Sequence, residues 1–87
     1  MPQIGGTIEE MQTLSAKFTS ESGTVAELTS SIDAQVNNTW WIGPAAERFK
    51  EAWGSQFKPT LAKLQAALDE ASSEVRKRAD ALQQAGQ

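Results

Sequence analysis

Glu47 and Glu51 stand one helical turn apart, the separation at which two carboxyls can share acid and base roles. Arg48 and Lys50 lie beside them, which fits an exposed face of mixed charge rather than an inward-facing pair. The chain has no histidine and no cysteine. The commonest general base, the thiolate nucleophile and both of zinc's usual ligand types are therefore missing. No glycine-rich loop could cradle a phosphate either. These residues predict a protein that is not an enzyme, with no cofactor and no metal.

Arg76-Lys77-Arg78 is the one dense basic cluster. Near a helix C-terminus such cations are favoured by the helix dipole, and the overall charge of -3 disfavours nucleic acid as a partner. Stable membrane insertion is not expected, since no stretch approaches 18 consecutive apolar residues. Phe49, Trp53 and Phe57, at steps of four, could form an aromatic ligand pocket. At that spacing they read more simply as packing against another helix.

Something must position these residues, and the length bounds it. Eighty-seven residues with 39% apolar content suit one globular domain, residues 1–87. A chain this short has a small core, and without disulfides or metal it depends on helix packing or on association.

Met11, Phe18, Val25 and Ile32 form a seven-residue repeat, with Leu14 and Leu28 three places after Met11 and Val25. This predicts a coiled-coil-like seam on a helix over about 7–38, widened by Ile8 and Val36. Thr7 and Glu10 have the spacing of a capping box. Glu21 and Gln35 interrupt the apolar series, and Gly23 and many Ser and Thr residues lower helix propensity. Packing must therefore hold this helix.

A turn is expected at about 39–43, because Pro44 is preorganised for a helical N1 position. A second helix over about 44–84 carries Phe49, Trp53 and Phe57, then Leu61, Leu64, Leu68, Ala71, Val75 and Leu82. Pro59 should kink it, and Ala85-Gly86-Gln87 should fray. Two separate helices are the alternative, but the apolar spacing continues through Pro59. The fold class is all-α: an elongated antiparallel helical hairpin, a helix of about 38 residues being roughly 57 Å long. Two helices cover only half of each apolar stripe. The simplest closure is a second hairpin, giving a dimeric four-helix bundle.

Trp41-Ile42-Gly43 in the loop of a hairpin of this length, followed by Pro44-Ala45-Ala46, Phe49 and Trp53, resembles the WXG100 (ESAT-6-like) proteins. The resemblance spans nearly the whole chain. It implies export as a folded dimer by a type VII (ESX) secretion system, without a cleavable signal peptide, so that the protein is cytoplasmic before export and extracellular after it. Residues 1–15 indeed contain no basic residue and no signal-like apolar core. Trp41 and Gly43 match the signature. Gly43 would supply backbone freedom to the turn, and Trp40 and Trp41 would cover the open end of the bundle.

The resemblance also implies a C-terminal export motif, a tyrosine with an acidic residue four places on. This chain has no tyrosine and no aromatic residue after Phe57; Arg76 and Asp80 are the positional analogue. Either a degenerate signal suffices, or a co-secreted partner carries the motif, or the chain is not itself a recognised substrate. A homodimer is the expected partner arrangement, with a heterodimer of two such hairpins as the alternative. A rival reading is a cytoplasmic helical adaptor in which the Trp-Ile-Gly turn is purely structural. The five acidic residues before Trp40, against Lys17 alone, contrast with a remainder of +1, an asymmetry that favours attraction between the helices or to a complementary surface, though exposed pairs are weak.

Overall fold

The computed structural model describes residues 7–86. Residues 1–6 and Gln87, which belong to the expected 1–87 domain and its frayed end, lie outside the described residues. Helix α1 runs Ile8–Asn38, and a short turn leads to α2, Pro44–Ala52. A π-helical turn, Trp53–Phe57, joins α2 to α3, Lys58–Ala85, and the three form one bent helix. The protein is an all-α helical hairpin. It measures 64 × 17 × 17 Å, and its radius of gyration of 19.1 Å compares with about 12 Å for a globular chain of this length.

Local chemistry explains both ends of α1. The Thr7 hydroxyl accepts a hydrogen bond from the Glu10 amide at 3.1 Å, and Glu9 and Glu10 sit where the helix dipole favours anions. At the other end Thr39 is extended and its hydroxyl donates to the Gln35 carbonyl at 2.6 Å. Between them Thr13, Thr19, Thr24 and Thr29 each donate to the carbonyl four residues earlier. The hydroxyl-rich sequence thus satisfies its own side chains against the helix it would otherwise compete with.

The turn is set by Gly43. Its φ of 119° and ψ of 172° fall where only glycine is free of strain, and Pro44 follows at the start of α2 with the Glu47 amide bonded to the Gly43 carbonyl at 3.0 Å.

The bend falls one turn before Pro59. Pro59 has no N–H to give, and in a regular helix its ring would press on the Ser55 carbonyl. The chain widens instead: the Lys58 amide reaches the Trp53 carbonyl, five residues back. A single helix continues through the proline, with the distortion at Trp53–Phe57.

Small side chains fill the seam between α1 and α3. Ser15, Ser22, Ser72 and Ala79 are all at most 4% exposed. The Ser15 hydroxyl donates to the Ser72 carbonyl at 2.8 Å and the Ser72 hydroxyl to the Ser15 carbonyl at 2.9 Å. Thr19 approaches the Ser72 hydroxyl at 2.7 Å, and Ser22 donates to the Gln65 carbonyl at 3.4 Å. Such contacts to main-chain oxygen require the two helices to lie close together.

Candidate protein-interaction face

Ser15, Ser22 and Thr29 recur every seven residues on α1, as Gln65, Ser72 and Ala79 do on α3. An α-helix turns about 100° per residue, so positions around each seam can be read from the spacing. Phe18, Val25 and Ile32 come three residues after the α1 seam positions and Met11 four before Ser15, which puts this series about 40–60° to one side. Leu14 and Leu28, one residue before Ser15 and Thr29, lie about 100° round on that same side. On α3 the pattern repeats: Leu68, Val75 and Leu82 follow the seam by three, Leu61 precedes Gln65 by four, and Leu64 and Ala71 precede it by one.

Two antiparallel helices with the same rotational offset open their apolar flanks on one side of the hairpin. The hairpin is amphipathic as a unit. Burial agrees, since Met11, Phe18, Val25, Ile32, Leu61, Leu68, Val75 and Leu82 are half-buried, while Leu14, Leu28, Leu64 and Phe57 are 44–47% exposed. The opposite flank carries Gln12, Thr19, Asp33, Asp69, Arg76 and Gln83. The large apolar heptad expected to be the seam therefore lies beside it, and the seam belongs to serine and alanine. Seven-residue spacing of Ser15, Ser22 and Thr29 between Ile8 and Val36 was the signal for this, masked by the larger side chains nearby.

Aromatic rings extend the apolar flank toward the turn. Trp41 rests on Phe49 with ring centroids 5.9 Å apart. Phe49 in turn lies 6.4 Å from both Trp53 and Phe57. Trp53 is buried at 6% exposure, and Ala46, one heptad earlier, at 1%. Trp40 differs from the expected end plug of Trp40 and Trp41: it is 87% exposed and projects from the tip, as does Ile42 at 72%, leaving Trp41 on the aromatic stack. A tight turn cannot fold three consecutive bulky residues inward. Lys50 donates to the Trp41 carbonyl at 3.1 Å, fastening the turn to α2.

Trp53 also meets α1. Its indole N–H donates to the Asp33 carboxylate at 3.0 Å, and the Lys58 ammonium reaches the same oxygen at 3.1 Å. The Trp53 hydrogen bond, then that of Lys58, holds the Asp33 carboxyl below its ordinary value. Sequence reasoning overlooked Asp33, whose role depends on a partner 20 residues away.

The charged groups singled out for chemistry are dispersed. Glu47 and Glu51 are exposed on α2, and of the Arg76-Lys77-Arg78 cluster Arg78 pairs with Glu74 at 3.6 Å. Among the described residues no group of His, Cys, Asp or Glu is placed to hold a metal, and no helix is long and apolar enough to cross a membrane. What the geometry offers is a surface: one apolar side of an elongated hairpin, ending in an exposed tryptophan-bearing turn.

Comparison with known proteins gave no match among curated sequences or solved structures. The family model WXG100, described as proteins of 100 residues with WXG, matches residues 3–87. With its hairpin, its central Trp41-Ile42-Gly43 turn and a match over nearly its whole length, the chain belongs to the WXG100 family.

Proposed function

We propose that this protein is exported as a folded dimer, as substrate or co-substrate of a type VII secretion system, its apolar side closed by a second hairpin into a four-helix bundle. WXG100 membership suggests a small protein associated with type VII secretion, from a family that is not enzymatic. The observation that carries the reading is the single-sided apolar flank with Leu14, Leu28, Phe57 and Leu64 nearly half exposed. The accessible surface, 6627 Å², exceeds the about 5,000 Å² of a globular chain of this mass. The difference, about 1,600 Å² on one chain, is about twice what one partner of a standard interface buries and lies in the per-chain range of obligate dimers.

Met11, Leu14, Phe18, Val25, Leu28, Ile32, Phe49, Trp53, Phe57, Leu61, Leu64, Leu68 and Val75 then divide between hairpin core and dimer interface, with Trp41 and Gly43 as the recognition turn. A second copy is the proposed partner, and a different WXG100-like hairpin is the alternative if the missing tyrosine motif must come from elsewhere. Light scattering on the purified chain tests the first point: a mass of two chains at micromolar concentration is expected, and a stable monomer would refute the homodimer. Deleting the secretion ATPase in the native organism and probing the culture supernatant tests the second. Export is expected to stop; unchanged export would sink the secretion role and leave the cytoplasmic adaptor.

A further inference from the structure

We propose that Asp33 acts as a register clamp, holding the π-helical turn in place so that the aromatic tip and the leucine stripe share one face of the hairpin. The need for a clamp follows from spacing. Ala46 and Trp53 are seven residues apart, and so are successive members of Leu61, Leu68, Val75 and Leu82. Trp53 and Leu61 are eight apart, and so are Phe49 and Phe57. In an unbroken α-helix the extra residue would rotate one half against the other by about 100°. A turn closed over five residues takes up that extra residue. Phe49 and Phe57 accordingly keep their rings 6.4 Å apart across it.

Asp33 is placed to hold that turn. One carboxylate oxygen receives Trp53 Nε1 at 3.0 Å and Lys58 Nζ at 3.1 Å. Trp53 and Lys58 are the first residue of the turn and the first after it, and their own main chains close the wide hydrogen bond. The carboxylate therefore grips both ends from across the seam. Pro59 favours a distortion nearby, and Gly54 has open space around it, so the local sequence alone leaves the position of the extra residue loosely specified. Fixing it keeps Trp53 buried and aligned with Leu61 and Leu68. Only the last consequence, a continuous surface for a second hairpin, rests on the docking role proposed above.

Amide hydrogen exchange followed by NMR tests the clamp itself, independently of docking. In Asp33→Asn the amides of Phe57 and Lys58 are expected to exchange at least tenfold faster, with amides around Ser22 and Ser72 unchanged. Lys58→Gln, which leaves the Trp53 bond, should give a smaller acceleration, and Asp33→Glu should restore part of the protection. Exchange at Phe57 and Lys58 within twofold of wild type would overturn the proposal. So would an acceleration spread evenly over the hairpin, because that reports general destabilisation rather than a local clamp.

Discussion

Ser15 and Ser72 exchange hydrogen bonds across the hairpin, each hydroxyl donating to the other residue's main-chain carbonyl at 2.8 and 2.9 Å. The Thr19 hydroxyl closes the cluster 2.7 Å from that of Ser72, a contact in which either oxygen can be the donor. This pair locates the closest approach of α1 and α3, with both residues at most 4% exposed. Ser15→Ala should cost about 1 kcal/mol, the net worth of one such bond. Ser15→Leu should cost more, about 1–3 kcal/mol, by forcing the helices apart. Chemical denaturation of both variants checks the order; an alanine variant less stable than the leucine variant would contradict a seam set by side-chain size.

Gly43 tests the turn. Its φ of 119° is strained for any residue with a Cβ even though nothing crowds the site, so Gly43→Ala should lose about 1–3 kcal/mol through backbone strain alone. Gly23, with equally open surroundings inside α1, should gain up to about 1 kcal/mol on mutation to alanine. Thermal melts of the two variants should move in opposite directions.

Trp53 contributes ring burial and an indole donor. Trp53→Ala should cost about 3–5 kcal/mol, by calorimetry or denaturant titration. Trp53→Phe retains most of the apolar contact and should be milder, isolating the bond to Asp33. An unchanged melting temperature and oligomeric state in Trp53→Ala would remove this residue from the core.

Asp33 gives the fold a dependence on acid. Its folded value is lowered from 3.8 by the Trp53 and Lys58 hydrogen bonds, with Lys58 the cation that faces it. Its neighbours one turn away on α1, Thr29, Ser30, Val36 and Asn37, carry no charge. A lowered carboxyl contributes stability that is complete above its unfolded value, and this is lost as pH falls through the folded value. Stability measured from pH 5 downward should fall less steeply in Asp33→Asn than in wild type. Identical slopes would mean that other carboxylates carry the acid sensitivity.

Leu28 and Leu64 separate folding from association. Both are nearly half exposed on the apolar side, so Leu28→Glu or Leu64→Glu should leave helical circular dichroism near wild type while raising the dissociation constant of the proposed dimer at least about tenfold. Sedimentation analysis reads the second effect. Loss of helicity in step with loss of mass would show instead that the hairpin does not fold without its partner.

Helix-forming residues and their apolar periods made two helices and a turn legible in the chain itself. Thr7, Pro44 and the glycine at 43 are local signals, and each acts through backbone geometry within a few residues. Trp41-Ile42-Gly43 likewise announced its turn because the whole signature lies in adjacent positions. The Asp33, Trp53 and Lys58 cluster was not legible, because nothing local ties an aspartate to an indole 20 residues on. The choice of seam also belonged to the tertiary structure. Period alone pointed to Met11, Phe18, Val25 and Ile32, but close antiparallel packing selects the small residues Ser15, Ser22, Ser72 and Ala79, whose side chains let main-chain oxygens come within hydrogen-bonding reach. That selection turns the larger side chains to one side, where they make a face rather than a core.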